Sequence, residues 1–363
     1  MKRTGFLFEQ IIDINNLVLA HLNARANKTD YKEVREVDRD VLGHCQKIRE
    51  MLINKTFTTS EYHTFKIVDR GKERDICELP YFPDRIIQWA LLQVVEKVFL
   101  KHFIADTYAA LPGKKKYNKK HKRYISTKGT HAALVRLKEF MEDREGTRYC
   151  LKLDVKKYFP HIDKERLKAM LRRIIKCKDT LWLLDDIIDS WGEGIPIGNF
   201  TSQYFGNFYL SFFDHWLKEV KHVKYYIRYM DDLVILHSSK EYLHQLRKDI
   251  DEYLTENLGL TLKENWQVFP TYERGIDFVG YRSFGDYTLL RRSTKARMKE
   301  AMKRLRQRLN KGKPMTLSNQ STLGSYIGIL GWGDCTRLKD KTVNKITGGN
   351  YGNSKRVAGN KTA

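Results

Sequence analysis

The sequence lacks the long apolar segments and paired cysteines that mark several protein classes. No run of about 20 uninterrupted apolar residues occurs, which excludes a membrane-spanning helix. Met1 to Phe8 lacks the apolar core of a signal peptide. Five cysteines are scattered without any C-x-x-C pair, so neither a zinc site nor a disulfide framework is expected: Cys45, Cys77, Cys150, Cys177 and Cys335. These absences favour a reduced, cytoplasmic protein with no membrane partner.

Acidic residues are also few compared with basic ones. The chain has 44 Asp and Glu against 67 Lys and Arg, which gives a formal net charge of +23. The basic residues concentrate in two blocks, residues 114–123 and 291–313. Neither block has a large apolar face for lipid, so the charge favours a nucleic-acid partner over a membrane. The alternative interpretation is a solvated basic surface.

Apolar residues make up 41% of the 363 residues, which is enough for a folded core and two or three subdomains. Apolar spacing predicts helices over 9–24, from Pro83 onward, after Gly129, and over 163–177, 180–190, 199–217 and 240–258. It predicts strands over 149–155, 225–236, 260–270, 276–282 and 288–290, and a hairpin over 57–76. The basic block 114–123 is predicted to be a loop, and the chain from about 342 is expected to be disordered.

Apolar strands carry aspartates at two points. Asp154 ends one strand, and Asp231 and Asp232 occupy a tight turn between two others. Nucleotidyl transfer uses two divalent cations about 4 Å apart, and such hard cations prefer carboxylate oxygens. Burying adjacent aspartates in an apolar hairpin is costly without a counter-ion. An exposed turn is the alternative, and it is the better explanation for an isolated Asp-Asp pair.

The order of the motifs resembles that of reverse transcriptases. Tyr229-Met230-Asp231-Asp232 resembles the hallmark motif of that family, and it follows Asp-x-x-x-Tyr-Phe at 154–159 and Gly-x-x-x-Ser at 198–202. RDICELPYFPDRIIQWAL, STKGTHAAL, LKLDVKKYFPHID, GIPIGNFTSQYFGNFYL, YIRYMDDLVIL and GIDFVGY resemble successive family motifs, from about Phe65 to Tyr281. The resemblance implies an α+β right-hand polymerase fold, with fingers, a palm of antiparallel sheet plus helices, and a short helical thumb.

The resemblance also divides the chain. It implies an N-terminal helical extension (1–56), fingers (57–147), a palm (148–283) interleaved with the fingers near 160–200, a thumb with a C-terminal element (284–340), and a disordered tail (341–363).

Roles carried over from the family define a candidate site. The implied metal positions, for two Mg²⁺ with Mn²⁺ as an alternative, are Asp154, Val155, Asp231 and Asp232. Arg74 would contact the incoming triphosphate, with Lys66 or Lys72 as a second cation. Phe159 would exclude a ribose 2′-hydroxyl, in preference to Tyr158. The positions beside the nascent base pair are Ile197, Gly198 and Ser202.

The remaining implied positions contact nucleic acid. The primer grip corresponds to Phe278, Val279, Gly280 and Tyr281. The basic candidates are Lys114, Lys115, Lys116, Lys119, Lys120, Lys122 and Arg123 in the first block, and Arg291 and Arg292 at the start of the thumb helix. Many family members carry a lysine suited to protonating pyrophosphate where this chain has Trp266, and Lys263 is the substitute candidate.

Departures from the family pattern indicate a subgroup. Most members read Gln-Gly-x-x-x-Ser-Pro where this chain has Ile197 and Gln203 at the first and last positions. This variant, and SYIGILGWGDCTRL at 325–338, resemble reverse transcriptases of diversity-generating retroelements from bacteria and phages. The absence of a nuclease, RNase H or maturase segment agrees.

Membership of this subgroup implies a specific activity. Such enzymes use dNTPs to copy a template-repeat RNA into cDNA, with errors opposite adenine, for mutagenic retrohoming into a variable gene. They act with a small, basic, oligomeric accessory protein.

Other classes are distinguishable by sequence. A retron or group II intron-like enzyme shares the chemistry but is expected to have Gln-Gly-x-x-x-Ser-Pro or a maturase domain, and a defence-related reverse transcriptase is a further alternative. A catalytically inactive RNA-binding relative is expected to lack a metal carboxylate. A viral RNA polymerase is expected to have Gly-Asp-Asp at the turn and a small residue at the position of Phe159.

Overall fold

The N-terminal part is helical and ends in a β-hairpin. The structure, a computed structural model, describes residues 3–69, 72–118 and 123–347. Its first elements are α1 (Phe8–Ile11), α2 (Ile14–Ala24), α3 (Lys32–Arg39), α4 (Val41–Ile53), β1 (His63–Asp69) and β2 (Lys72–Glu78). Asp13 caps α2 by accepting from the backbone N–H of Asn15 at 2.8 Å, so the helix predicted over 9–24 is divided there. The predicted hairpin is confirmed as β1 paired with β2.

A second hairpin corrects the prediction of a loop at 114–123. A kinked segment (Tyr81–Arg85), in which Phe82 has an extended backbone, leads into α5 (Ile86–Leu100), followed by β3 (Lys115–Asn118), β4 (Arg123–Ser126) and α6 (Thr130–Phe140). In the hairpin, Tyr117 pairs with Tyr124 and their ring centres lie 5.4 Å apart. Cross-strand aromatic contacts stabilise strands, and here they offset the low strand preference of lysine.

A four-stranded antiparallel sheet forms the centre of the fold. Its strands are β5 (Tyr149–Asp154), β6 (Tyr225–Tyr229), β7 (Asp232–His237) and β8 (Gln267–Pro270), in the order β6-β7-β5-β8. The strand predicted over 260–270 is therefore shorter, although Leu262 forms an isolated bridge with Val155.

Helices cover one face of this sheet. They are α7 (Lys164–Ile174), α8 (Lys178–Asp189), α9 (Phe200–Tyr209), α10 (Ser211–His215) and α11 (Lys240–Leu258), with a π-helical turn at Trp216–Val220. The helix predicted over 199–217 is broken at Leu210. The Ser211 hydroxyl donates to the Phe208 carbonyl at 2.7 Å, a local bond that competes with regular helix geometry.

Alternation along the strands divides the core in two. Leu151, Leu153 and Ile235 pack among the helices on one face. Cys150 and Val234, one residue out of phase with these, belong to a second cluster with α6 residues on the other face. Both faces are thus buried at the middle of the sheet, which leaves its Asp154 end for a site.

The C-terminal part is a small sheet followed by helices. It contains α12 (Thr271–Arg274), β9 (Ile276–Phe278), β10 (Tyr281–Ser283), β11 (Thr288–Leu290), α13 (Arg292–Asn310), α14 (Leu317–Leu330), α15 (Thr336–Thr342) and α16 (Asn344–Thr347). Met298, Met302 and Leu305, at helical spacing along α13, are its buried residues. The predicted disordered tail lies, from residue 348, outside the described residues. Among the described helices, none has the length and apolar character needed to cross a bilayer.

Candidate active site

The turn between β6 and β7 brings the predicted aspartates to one end of the central sheet. Tyr229 pairs with Asp232, so Met230 and Asp231 form the turn. Met230 has a φ of 57°, in the left-handed region that side chains seldom adopt. Asp154 pairs with Asp232 across β5 and β7. The fold therefore places Asp154, Asp231 and Asp232 close together in the backbone.

Asp154 and Asp231 interact through their side chains. Burial, followed by the negative charge of Asp154, raises the pKa of Asp231 to about 6. Lys263 approaches the pair, with its Nζ 2.6 Å from Oδ1 of Asp154. Two carboxylates in one partly buried site repel each other when both are ionised. The pair is therefore a place where a cation would be stabilised.

The carboxylate of Asp232 has a different neighbour. It accepts a hydrogen bond from Nζ of Lys152, a residue whose pKa is lowered by burial to about 8. Lys152 also lies over the Phe278 ring, 5.0 Å from its centre. Within residues 3–69, 72–118 and 123–347, no three His, Cys, Asp or Glu side chains are arranged to hold a metal ion. The structure thus brings Asp154 and Asp231 together and turns Asp232 toward Lys152.

The Asp154–Asp231 pair nevertheless fits a divalent cation. Mg²⁺ prefers oxygen ligands, and in polymerase-type sites one or two carboxylates hold it together with substrate phosphates. The raised pKa of Asp231 shows that its negative charge is poorly balanced, which a bound cation would correct. Val155 is fully buried, and because its side chain is a hydrocarbon, only its main-chain carbonyl is a candidate ligand.

Sequence reasoning missed a buried arginine beneath the β6–β7 turn. Arg228 and Asp214 are both fully buried, and Nη2 of Arg228 lies 2.6 Å from Oδ2 of Asp214. Arg228 also donates to the Met230 carbonyl at 3.0 Å and to the Asn207 side chain at 3.2 Å. The Tyr226 hydroxyl donates to Asp214 at 2.7 Å. The available signal was a lone arginine inside the apolar strand YYIRY, and the contacts show that it fixes the turn carrying Asp231.

Phe159 lies beside the turn, whereas Tyr158 is buried behind it. A Cβ at Gly206 of α9 would lie 3.1 Å from the Phe159 ring and 3.3 Å from Sδ of Met230. Glycine at this position therefore lets both side chains approach the helix. Tyr158 is 3% exposed, and its hydroxyl donates to the Gly206 carbonyl. Of the two candidates, Phe159 is the one that remains partly accessible.

The Ile197–Gly198 loop joins the β1–β2 hairpin to α9. The N–H of Cys77 donates to the Ile197 carbonyl at 2.8 Å. Gly198 has a φ of 139°, and a Cβ there would lie 2.0 Å from the Cys77 carbonyl oxygen, so only glycine fits. Ile197 itself is half-buried. Ser202, in the first turn of α9, is 2% exposed, and its Oγ has no hydrogen-bond partner among the described residues.

Two of the predicted triphosphate cations, Arg74 and Lys66, lie on paired strands of the β1–β2 hairpin. Arg74 pairs with Ile67, and Lys66 pairs with Asp75. Directly paired residues share a face and successive residues alternate, so Arg74 and Lys66 project from opposite faces of the hairpin. Lys66 lies 3.7 Å from Glu73. Arg74 is exposed, and Lys72 is the first residue of β2.

The predicted primer grip spans the β9–β10 turn. Phe278 is fully buried, and its ring centre lies 6.5 Å from that of Tyr229. Tyr281 is 2% exposed and donates to the Ile329 carbonyl of α14 at 3.1 Å. Val279 and Gly280 form the turn between them with positive φ angles. The two aromatic residues therefore hold the partly accessible turn between β6 of the central sheet and the C-terminal helices.

Both basic blocks lie on accessible surface where they are described. A groove of about 1100 Å³ along α13 is lined by Arg291, Arg292, Lys295, Lys299 and Arg306, among other residues. Lys114, Lys115 and Lys116 are exposed at the start of the β3–β4 hairpin. Arg123 begins β4, whereas Lys119, Lys120 and Lys122 lie outside the described residues. Such surfaces suit phosphate contacts.

Trp266 and Lys263 occupy different surroundings. Trp266 packs against α11, where the Arg247 guanidinium lies 4.8 Å from the centre of its ring. Lys263 contacts Asp154. Of the two positions considered for a lysine acid, only Lys263 places an ammonium group at the carboxylates.

The fold combines an antiparallel sheet that carries paired aspartates at a β-turn, helices that cover one face of the sheet, and a basic helix that follows the sheet in the chain. This is the arrangement of a right-hand nucleic-acid polymerase. The model of the family described as "Reverse transcriptase (RNA-dependent DNA polymerase)" matches residues 66–283, and the chain belongs to this family. The predicted α+β right-hand fold and the predicted enzyme class, an RNA-directed DNA polymerase, are thereby confirmed. No curated protein is similar enough to match the chain.

Solved telomerase structures show a weaker similarity. Apo telomerase from Candida tropicalis, truncated from its C-terminal domain, has a TM-score of 0.44 and 13% identity over 65% of this chain and 55% of that chain. Telomerase from Candida albicans in complex with the TWJ fragment of telomeric RNA has a TM-score of 0.44 and 12% identity over 75% and 55%. The chain thus spans about half the length of these telomerase chains.

Proposed function

We propose that the chain copies a template-repeat RNA into cDNA with low fidelity, as the reverse transcriptase of a diversity-generating retroelement. The polymerase activity is carried by one observation: the Asp154–Asp231 carboxylate pair lies at a turn next to Phe159 and α9. The retroelement subgroup is supported by Ile197 and Gln203 in the loop that precedes α9 and in its first turn.

Each side chain of the site would have a defined task. Asp154 and Asp231 would hold the two Mg²⁺ ions, which when bound activate the primer 3′-oxygen and stabilise the leaving pyrophosphate. Lys152 keeps Asp232 neutralised beside the pair. Arg74, exposed on β2, would bind the triphosphate of the incoming dNTP. The Val279–Gly280 turn would support the primer end.

Phe159 is proposed to select deoxyribonucleotides. Phe159→Ala should open space for a 2′-hydroxyl and raise the ratio of ribonucleotide to deoxyribonucleotide incorporation by about 10- to 100-fold, the usual range for one steric contact. The ratio is measured by single-nucleotide primer extension. Tyr158→Phe is the control, since it removes only a hydroxyl bonded to Gly206. A ratio unchanged in Phe159→Ala contradicts the assignment.

Ile197 is proposed to loosen the check on the nascent base pair. The side chain of a glutamine at this position can both donate and accept hydrogen bonds. The isoleucine side chain can do neither, and its branched Cβ restricts its rotation. Losing about 1.4 kcal/mol from the correct pair alone would lower fidelity tenfold. The competing explanation is packing against the β1–β2 hairpin, where the Ile197 carbonyl already binds the Cys77 N–H.

Copying one adenine-rich RNA with wild-type enzyme and Ile197→Gln separates these explanations. We expect errors opposite adenine to fall by up to about tenfold in Ile197→Gln, with errors at other bases little changed. Ile197→Val, which retains an apolar branched side chain, controls for packing and should keep the native error spectrum. Identical spectra from wild type and Ile197→Gln, by cDNA sequencing, would exclude Ile197 as the source.

The proposed partners follow from the same subgroup. They are the template-repeat RNA, its cDNA product, dNTPs and a small, basic, oligomeric accessory protein. The groove along α13 would follow the duplex through its phosphates, because Arg291, Arg292 and Lys295 line it.

A further inference from the structure

The β3–β4 hairpin presents two aromatic rings to solvent. Tyr117 and Tyr124 are 55% and 70% exposed, although they pair directly across the strands with ring centres 5.4 Å apart. Single exposed aromatic residues are ordinary, and a cross-strand pair contributes to hairpin stability. Stabilising the hairpin does not require the rings to remain this accessible, so their faces are available for a partner.

The stretch of sequence that contains the two tyrosines has basic residues and no acidic ones. Residues 107–138 contain no Asp or Glu. Lys114, Lys115 and Lys116 are exposed directly before Tyr117. A surface that combines exposed aromatic rings with exposed lysines matches a strand of nucleic acid, which offers π-faces and phosphates together. The surface does not suit insertion into a bilayer, because the exposed strand β3 has no apolar side chain apart from that of Tyr117.

The base of the hairpin is attached to the catalytic strands. The N–H of Tyr108 donates to the Arg228 carbonyl at 3.1 Å, and the Thr130 hydroxyl lies 3.2 Å from the Tyr229 hydroxyl. Lys128 closes the base by donating to the Thr107 carbonyl at 2.6 Å. Arg228 and Tyr229 immediately precede the turn that carries Asp231. A nucleic-acid strand bound to the hairpin would therefore lead toward the turn that carries Asp231.

We propose that this hairpin binds the unpaired RNA template ahead of the active site, with bases stacked on Tyr117 and Tyr124 and phosphates against Lys114, Lys115 and Lys116. The proposal rests on the proposed copying of RNA. Single-stranded RNA is the fitting occupant, because the faces of paired bases are hidden in the helical stack whereas unpaired bases can be splayed onto aromatic rings.

The test compares two primer–template duplexes that differ only in the unpaired 5′ template RNA, of one or ten nucleotides. Tyr117→Ala/Tyr124→Ala should weaken binding of the long overhang by at least about 5-fold, because it removes both rings and the loss of stacking on one base alone weakens binding by about 5- to 100-fold. The variant should bind the short overhang within about twofold of the wild-type affinity, a difference of about 0.4 kcal/mol. The reason is that a one-nucleotide overhang does not reach the hairpin and so loses no stacking contact. Fluorescence anisotropy of labelled primer gives both affinities.

Three controls define the cause. Tyr117→Phe/Tyr124→Phe retains the rings and should bind the long overhang as wild type does. Tyr31→Ala removes a ring of similar exposure, 58%, from the N-terminal helices and should change neither affinity. A ten-nucleotide overhang with abasic sugars retains the phosphates but has no bases to stack. The wild-type protein should bind this abasic overhang as weakly as the alanine variant binds the normal overhang. Because this comparison uses the wild-type protein, it does not depend on whether the alanine substitutions disturb the hairpin.

The outcomes separate this proposal from the proposed function. A loss confined to the base-containing long overhang and restored by phenylalanine supports it. Equal affinities of the wild-type protein for the normal and abasic overhangs overturn the proposal. It is also overturned if the alanine variant weakens binding only when the accessory protein is present, because the hairpin would then be a protein-docking surface. Absence of primer extension by wild type would reject the proposed function alone, since overhang binding is measured without catalysis.

Discussion

Replacing Asp231 with Asn is expected to slow primer extension on RNA by at least about a thousandfold, corresponding to about 4 kcal/mol of lost transition-state stabilisation. The substitution preserves volume but removes one of the two charges that would hold the Mg²⁺ ions. Asp154→Asn should have a comparable effect, because the two carboxylates form one pair. Single-turnover extension at saturating dNTP and Mg²⁺ measures the loss.

The same variant provides its own folding control. In the folded protein the pKa of Asp231 is raised by burial from 3.8 to about 6. Proton uptake at Asp231 therefore stabilises the fold at low pH, and this contribution is lost as the pH rises through about 6. Asn does not titrate, so with a chelator at pH 7 Asp231→Asn should unfold with a free energy no lower than that of wild type.

A matched control and a contradictory result complete this test. Asp30→Asn removes a carboxylate that is 94% exposed, remote in sequence from the site, and should leave extension unchanged. Near-normal extension by Asp231→Asn, with its stability intact, would remove Asp231 from the metal site. It would direct attention to Asp232, which the structure places beside Lys152 instead.

Local signals explain which elements could be predicted from the sequence. The α11 helix has the bounds that apolar spacing predicts, and the structure shows local signals at both ends: Ser239 caps its first turn, and Gly259 ends it in the left-handed conformation. Strand β5 was predicted because an apolar run ends at Asp154. The proximity of Asp154 and Asp231 was implied by the resemblance to reverse transcriptases, and the pairing of β5 with β7 accounts for it.

Tertiary contacts explain what could not be predicted. The β3–β4 hairpin depends on the contact between Tyr117 and Tyr124. The surrounding run of lysines favours a loop, so the sequence pattern does not indicate this contact. Likewise, the direction of the Asp232 carboxylate depends on Lys152 across the sheet, 80 residues away. Neither interaction has a periodicity, so composition and spacing gave no account of them.

The buried ion pair beneath the turn has the largest expected effect on stability. Arg228→Met should lower the free energy of unfolding by about 3–5 kcal/mol, because Asp214 would remain buried and charged without its partner. Arg228 forms hydrogen bonds of 2.8 and 2.6 Å to the two oxygens of Asp214. Burial acts to lower the pKa of Arg228, but the charge and hydrogen bonds of Asp214, together with Tyr226 and Tyr158, raise it overall, so the arginine stays charged at every working pH. Urea unfolding followed by circular dichroism measures the change.

An exposed pair and a double variant show whether burial is the cause. Arg304→Met breaks the Arg304–Glu300 pair, whose side chains are 76% and 52% exposed, and should cost less than about 0.5 kcal/mol. Arg228→Met/Asp214→Leu removes both buried charges, so it should recover much of the stability lost in Arg228→Met. A loss below about 1 kcal/mol in Arg228→Met would contradict an uncompensated buried charge.

Stability and catalysis should separate in the double variant. Arg228 also donates to the Met230 carbonyl at 3.0 Å, and Met230 adopts a left-handed conformation with a φ of 57°. Removing that donor frees the turn that positions Asp231, even when the buried charges are both gone. We therefore expect Arg228→Met/Asp214→Leu to fold but to extend primers at least about tenfold more slowly, since misplacing a reacting group slightly is costly. Wild-type extension by this variant would show that the arginine stabilises the fold without positioning the catalytic turn.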